Sequence, residues 1–142
     1  MKIDKYATAI WQGGLKDGQG SISTESGTLD NAHYSFTKRF EDAEGTNPEE
    51  LVGAAHAGCF AMALSMILGE AGYTPNKLET KATITLEKQG DGFAVTKSHL
   101  NLSADIPKIS QADFEECATK AKENCPLSKL LNADISLDAK LA

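Results

Sequence analysis

The sequence lacks closely paired cysteines. The 142 residues include three cysteines, and no two of them are arranged as CxxC. Such an odd, small number argues against the disulfide scaffold of a secreted protein. The three histidines are scattered, so the close ligand pairs of a structural zinc site are missing. We therefore expect neither a metal ion nor a bound cofactor.

Positive charge is also scarce. The chain has 14 basic and 20 acidic residues, a formal net charge of −6 and a pI of about 5.0. This balance argues against nucleic-acid binding, which usually requires a basic face. The first residues, MKIDKYATAIWQ, lack the apolar core and small-residue cleavage site of a signal peptide. A cytoplasmic protein is therefore expected.

Charge of either sign is missing from Leu51–Gly69, a run of 19 residues. The run is long enough to raise the question of a membrane span. However, its glycines and alanines make it only mildly hydrophobic, and Glu49, Glu50 and Glu70 border it instead of basic residues. We expect no membrane contact here. The run instead predicts a buried helix that is apolar on all sides.

The wider pattern predicts one α+β domain over residues 1–142, with mostly antiparallel sheet. Alternation and turn residues predict the strands Tyr6–Gln12, Gln19–Glu25, His33–Phe40, Leu78–Lys88, Phe93–Ile106 and Ile135–Leu141. The capping residues Asn47 and Ser110 predict the helices Pro48–Glu70 and Gln111–Asn124, and a short helix follows from the Cys125–Ser128 break to about Leu131. A change in alternation predicts a bulge near Lys97–His99.

Cys59 lies near the middle of the charge-free helix. Free cysteine is among the most buried residue types, so Cys59 could simply fill the core. A reactive thiol needs a cation or a helix N-terminus to stabilise its thiolate. A position in the middle of a helix offers neither, and any reactive role therefore requires charge from elsewhere in the protein.

Arg39 is a candidate source of that charge, because it is the only arginine among the 14 basic residues. Its neighbours Phe36 and Phe40 are aromatic. A lone arginine in such a setting indicates that a planar, forked group was needed instead of a point charge. The alternative is an arginine at a strand edge with a solvated head group.

Two glutamates open the predicted helix, and their geometries differ. Glu50 falls at the third helical position, where it can form a capping box with Asn47. Glu49 lies within about 80° of the face that carries Cys59, but about 15 Å away along the axis. If Glu49 and Cys59 serve one site, Glu49 therefore comes from another chain. The alternative is an acid that the helix dipole favours.

The remaining candidates are Cys125, Cys117 and His56. Cys125 precedes a proline at a helix start, where backbone N–H groups favour a thiolate, so it could be a second redox thiol. Cys117 lies on the apolar face of its helix and is expected to be a core residue. His56 lies one turn before Cys59 and would allow a Cys–His hydrolase or acyl transferase, although no orienting Asp or Asn is evident. A non-catalytic binding domain with Cys59 in its core is the other alternative.

Several segments resemble the OsmC/Ohr family, thiol-dependent peroxidases that act on organic hydroperoxides. They are GTNPEELVGAAHAGCFAMAL at Gly45–Leu64, STESG at Ser23–Gly27, RFE at Arg39–Glu41 and Cys125-Pro126. The likeness extends from Trp11 to the last strand. The position of the arginine at Arg39 is typical of the OsmC branch.

The resemblance implies a role for each candidate. Cys59 matches the peroxidatic cysteine and Cys125 the resolving cysteine. Arg39 matches the arginine that stabilises the thiolate, and Glu49 matches the acid that holds this arginine. The family fold implies an intertwined homodimer in which mostly antiparallel sheets wrap around two long central helices.

The implied reaction reduces an organic hydroperoxide to an alcohol. Cys59 becomes a sulfenic acid and then forms a disulfide with Cys125. A dithiol restores the enzyme, by family analogy a dihydrolipoyl group on a lipoylated protein. Apolar neighbours such as Phe60 and Met62 are expected to accommodate the alkyl part of the substrate.

Overall fold

The computed structural model describes residues 1–37 and 44–142. The chain divides into two compact units, Met1–Leu51 and Val52–Ala142. The prediction of one domain over residues 1–142 stays a prediction. Within the described residues, the mixture of helices and sheets confirms the predicted α+β class.

The first unit contains a small antiparallel sheet. Its strands are β1 (Ala7–Gln12), β2 (Gln19–Thr24) and β3 (Ala32–Tyr34), with β2 in the middle. The prediction that the third strand extends over His33–Phe40 was wrong. Tyr34 pairs with Gly20, and only Gln19 remains on β2 beyond that point, so β3 has no partner with which to continue. Phe36 and Thr37 have helical backbone, and residues 38–40 lie outside the described part.

Gly20 is held between two aromatic rings in this sheet. It pairs with Trp11 on one side and with Tyr34 on the other. The two ring centroids are 5.6 Å apart, and the rings are tilted by 56°. A Cβ atom at position 20 would collide with both rings. The absence of a side chain therefore allows the Trp11–Tyr34 pair to form.

The long helix α1 spans Pro48–Glu70, as predicted. The Asn47 side chain accepts a hydrogen bond from the Glu50 N–H at 2.8 Å, so Asn47 caps the helix. At the other end, Gly72 has φ +91°, and the Tyr73 N–H donates to the Leu68 carbonyl at 2.8 Å. This glycine-dependent bonding pattern terminates the helix and satisfies its last carbonyls.

The second unit is built on a three-stranded sheet. Its strands are β4 (Lys77–Gln89), β5 (Gly92–Asp105) and β6 (Asp134–Leu141), with β5 in the middle. Strand β5 pairs antiparallel with β4 and parallel with β6. The bulge predicted near Lys97–His99 is confirmed, and it lies immediately before Lys97. Thr85 pairs with Lys97 and Leu86 with Val95, so Thr96 is the extra residue.

Two further helices complete the second unit. They are α2 (Gln111–Asn124), capped by the Ser110 side chain, and α3 (Pro126–Leu130). One stripe of α1 packs into this unit's core. The buried residues of that stripe are Gly53, His56, Phe60, Leu64 and Leu68. Their spacing of three or four residues is that of a single helix face.

The rest of α1 is not buried within one chain. Met62 is 76% exposed and Met66 is 62% exposed. The prediction of a helix buried on all sides was therefore wrong for the single chain, because the sheet and α2 cover only one face. By length and composition, α1 could cross a bilayer, with a mean hydropathy of 1.9 over its most apolar window. The expectation of no membrane contact stays a prediction.

Candidate active site

Cys59 and Cys125 both belong to the second unit. Cys59 is half-buried on α1, one residue before the fully buried Phe60. Cys125 is fully buried at the junction of α2 and α3, where it closes the first helix and caps the second. Both are free thiols.

The Cys59 thiol packs against the core that contains Cys125, and the two thiols lie close enough for Cys125 to raise the pKa of Cys59. The positions of the cysteines in the sequence, 66 residues apart, do not indicate this contact. The fold achieves it by placing the start of α3 against the middle of α1. Neighbouring thiols are suitably placed for a disulfide where the backbone also allows the required geometry.

The surroundings of Cys59 hold its thiol in the protonated form. Burial raises the pKa of Cys59 above its ordinary value, and the hydrogen bond to Cys125 raises it further. A hydrogen bond with the backbone of Leu127 acts in the opposite direction and lowers the pKa. On balance the pKa is raised. A reactive thiolate at Cys59 therefore needs positive charge from beyond these groups.

The Leu127 N–H is available to sulfur because of the way α3 begins. The first N–H groups of a helix have no partner within the helix. Pro126 occupies the first turn and has no N–H, and Cys125 forms no side-chain cap hydrogen bond. The Leu127 N–H therefore remains available to interact with the Cys59 sulfur. The Cys-Pro pair is the sequence signal for this arrangement.

The two charged candidates belong to a different part of the chain. Arg39 lies outside the described residues. Glu49 is in the first turn of α1, in the first unit, and is half-buried. The pairing of Arg39 with Glu49 therefore stays a prediction.

Glu50 has a different environment from Glu49. It is exposed, and its carboxylate accepts a hydrogen bond from the Thr46 hydroxyl at 3.0 Å. The predicted capping box is therefore only half formed. Asn47 caps the Glu50 N–H, whereas the Glu50 side chain bonds to Thr46. This bond gives Glu50 a local structural role at the start of the helix.

His56 is fully buried and bonds to two serines. Its Nδ1 is 2.6 Å from the Ser98 hydroxyl on β5, and its Nε2 is 2.8 Å from the Ser128 hydroxyl on α3. Burial lowers the pKa of His56, which favours the neutral ring. Because both ring nitrogens are bonded to serines, this arrangement weighs against a Cys–His nucleophilic pair. The sequence reasoning missed both serines.

Cys117 is a core residue, as predicted. It lies on α2 with 6% of its surface exposed, and burial raises the pKa of its thiol. The predicted role for Phe60 in contacting substrate was wrong, because Phe60 is fully buried in the core. Met62, in contrast, is exposed on α1.

The first unit carries an apolar cleft of about 290 Å³. Aromatic and aliphatic side chains dominate its walls, which consist of Trp11, Leu15, Tyr34, Ser35, Phe36 and Pro48. Within residues 1–37 and 44–142, no three side chains of the types that bind metals come together in a possible metal site.

The fold and its two contacting thiols define an α+β protein with a dithiol site. Residues 41–140 match the family model described as OsmC-like protein. The chain belongs to this OsmC family, as its sequence motifs indicated. Its fold is also that of OsmC and organic hydroperoxide resistance proteins of known structure.

Individual relatives support this assignment. The chain is 50% identical over 141 residues to peroxiredoxin OsmC of Escherichia coli strain K12, covering 99% of both chains. It is 31% identical over 137 residues to organic hydroperoxide resistance protein-like 2 of Staphylococcus epidermidis, covering 94% of both. The crystal structure of OhrB from Bacillus subtilis is similar with a TM-score of 0.70 and 27% identity, covering 95% of this chain and 98% of that one.

Proposed function

We propose that the protein is a thiol peroxidase that reduces organic hydroperoxides to alcohols. The observation that carries this proposal is the contact between Cys59 and Cys125. The names of its relatives, a peroxiredoxin and organic hydroperoxide resistance proteins, support the same class of reaction. The proposed setting is the cytoplasm, where thiol-reducing systems keep cysteines free.

In the proposed cycle, the Cys59 thiolate attacks one peroxide oxygen and the O–O bond breaks. The released alkoxide takes up a proton and leaves as an alcohol, while Cys59 becomes a sulfenic acid. Cys125 then displaces the hydroxyl group from this sulfur as water, giving a Cys59–Cys125 disulfide. An external dithiol, for which a dihydrolipoyl group is the proposed candidate, reduces the disulfide by exchange.

Arg39 is proposed to supply the positive charge that the described neighbours of Cys59 do not, with Glu49 holding it. The described neighbours of Cys59 raise its pKa, so a nearby guanidinium is needed to favour the thiolate. Glu49 is proposed to orient that guanidinium through a bidentate pair. The apolar cleft lined by Trp11 and Tyr34 offers a surface suited to the alkyl group of a hydroperoxide.

A homodimer is part of the proposal. Cys59 lies ten residues after Glu49 on one straight helix, a rise of about 15 Å, so the two side chains of one chain cannot meet. The exposed face of α1 carries Met62 and Met66 within a run that has no charged residue. A second copy would bury this face. Sedimentation velocity should show a dimer that Met62→Lys dissociates, whereas Leu130→Lys, at another exposed apolar position, should not dissociate it.

The decisive test of the chemistry is mass spectrometry after one equivalent of cumene hydroperoxide. The expected product has lost two hydrogens, and its peptide map links Cys59 to Cys125. Cys117→Ser should give the same product, whereas Cys125→Ser should give a Cys59 sulfenic acid that dimedone traps. Unchanged thiols, or a bridge that involves Cys117 alone, would contradict the proposal.

A further inference from the structure

His56 has no part in the proposed chemical cycle, yet it is fully buried and bonded at both ring nitrogens. A neutral imidazole has one donor and one acceptor nitrogen, and a serine hydroxyl can serve as either partner. Both hydrogen bonds can therefore form at once without a charge. Burial, which lowers the pKa of His56, keeps the ring in this neutral state.

The two bonds join three separate elements. His56 is on α1, Ser98 is on β5, and Ser128 is on α3. Ser98 is fully buried in the sheet, so the bond to Nδ1 anchors the ring to the rigid part of the unit. The bond from Nε2 then reaches α3, which is only five residues long and contributes no buried residue of its own. His56 thus connects a small element to the sheet.

The sequence places this connection beside the thiols. His56 precedes Cys59 by three residues on α1, and Ser128 follows Cys125 by three residues along the start of α3. Two contacts therefore link α1 to the same short segment, one between sulfur atoms and one between His56 and Ser128. The His56–Ser128 contact therefore helps to hold the start of α3 where Cys125 can meet Cys59.

We propose that His56, through Ser128, is a positioning residue for disulfide formation, a role that rests on the proposed peroxidase function. In that step the Cys125 sulfur attacks the sulfenic sulfur of Cys59 and an S–S bond forms. The S–O bond breaks, and the departing hydroxide leaves as water with the proton from Cys125. Cys59 is reduced and Cys125 is oxidised, so no other reactant is needed.

This role predicts a large effect on one step. Attack of the Cys59 thiolate on the peroxide does not use Cys125 as a reactant, and the effects of Cys125 and Leu127 on the Cys59 pKa oppose each other, so its rate should change much less than that of disulfide formation. Disulfide formation requires the two sulfur atoms to be aligned, and misplacement by about 1 Å can slow such a step by roughly 100-fold. A sulfenic acid that is not resolved reacts with further peroxide to give a sulfinic acid. Loss of the His56–Ser128 contact should therefore increase overoxidation of Cys59.

The experiment compares Ser128→Ala with Ser98→Ala in the full-length protein. Each variant removes one of the two serine hydroxyls that bond to the His56 ring, but only Ser128→Ala releases the segment that carries Cys125. Rapid mixing with cumene hydroperoxide, followed by acid quench and mass spectrometry, separates thiol, sulfenic acid, disulfide and sulfinic acid. Ser128→Ala should slow disulfide formation by about 10- to 100-fold, with a much smaller change in the rate of thiol loss. Ser98→Ala should remain within about threefold of the wild type, because the buried ring is still held on α1 and keeps its bond to Ser128. Ser128→Thr should restore the rate.

A second pair of variants tests the same proposal by replacing the His56 ring itself. The amide nitrogen of Gln occupies about the position of Nε2, and that of Asn the position of Nδ1. His56→Gln should therefore keep much of the contact with Ser128, whereas His56→Asn should lose it and resemble Ser128→Ala. This pair decides the question if Ser128→Ala fails to fold.

The outcomes distinguish this role from the cycle on which it rests. A wild-type protein that forms no Cys59–Cys125 disulfide would overturn the proposed function and this role with it. A wild-type disulfide together with an unchanged ratio of disulfide to sulfinic acid in Ser128→Ala and His56→Asn would overturn the positioning role alone. Equal slowing by Ser98→Ala and Ser128→Ala would also overturn it, because it would indicate a general effect on packing.

Discussion

The two units of the chain differ in what they bury and in what chemistry they offer. Among the described residues, every fully buried hydrophobic side chain lies in Val52–Ala142, whereas β1 of the first unit is exposed along its whole length. The second unit holds the contacting thiols, and the first holds Glu49 and the aromatic cleft. Packing within the second unit has brought the two sulfur atoms together, whereas the charge proposed to activate Cys59 belongs to residues earlier in the sequence.

The largest expected effect concerns this difference in burial. Phe60→Ala should lower the free energy of unfolding by about 3–5 kcal/mol, because it removes a fully buried ring from the core. Ile10→Ala, at a position that is 54% exposed on β1, should change it by no more than about 0.5 kcal/mol. Urea denaturation measures both values. Similar losses in the free energy of unfolding at the two positions would show that Ile10 is buried in the assembly that the protein forms in solution.

Removing the proposed cation should have the next largest effect. Arg39→Gln should slow the reaction of Cys59 with cumene hydroperoxide by roughly 100-fold, because the remaining neighbours favour the protonated thiol. The rate of alkylation by iodoacetamide should then rise only at higher pH than in the wild type. Lys38→Gln removes the neighbouring positive charge and is the matched control. An unchanged pH profile in Arg39→Gln would show that the second unit activates its own thiol.

Substitution of the glutamates at the start of α1 should affect the rate less than substitution of Arg39. Glu49→Gln should slow peroxide reduction by roughly tenfold, the size expected from losing a charge-assisted hydrogen bond to Arg39. Glu50→Gln should leave the rate near that of the wild type, because Glu50 bonds to Thr46. Steady-state kinetics with a dithiol reductant measures the rates of both variants. If Glu50→Gln were the slower one, Glu50 and not Glu49 would be the partner of Arg39.

The smallest effect concerns pH and the buried histidine. Because burial lowers the pKa of His56 below its ordinary value of 6.5, the unfolded chain binds more protons below that pH than the folded one. The free energy of unfolding should therefore fall as the pH drops below about 6.5, by at most about 1.4 kcal/mol per pH unit from this group. Urea titrations at several pH values should show a flatter dependence in His56→Gln. An equal dependence in both proteins would contradict this assignment.

Local signals in the sequence were sufficient for most of the fold. Asn47, Pro48 and Gly72 set the limits of α1, because cap and turn chemistry depends on neighbouring residues alone. The overextended third strand shows where such signals fail. Its length depends on where β2 begins to pair, and this is a property of the other strand.

The site was less predictable from spacing. The contact between Cys59 and Cys125 joins residues far apart in the chain, and the pairing was anticipated only through the family resemblance. The contacts of His56 with Ser98 and Ser128 carried no recognisable signal, because serine is common at such positions and tertiary packing selects its partner. The matched offsets of three residues, His56 to Cys59 and Cys125 to Ser128, acquire meaning only once the contact is known.

Gly20 has a consequence for how this sequence can change. Its missing side chain accommodates the rings of Trp11 and Tyr34, so the three positions form one steric unit across three strands. A larger residue at position 20 is compatible with the sheet only if at least one ring becomes smaller. We therefore expect related chains to vary these positions together, and the identity of residue 20 to report whether the aromatic wall of the cleft is retained.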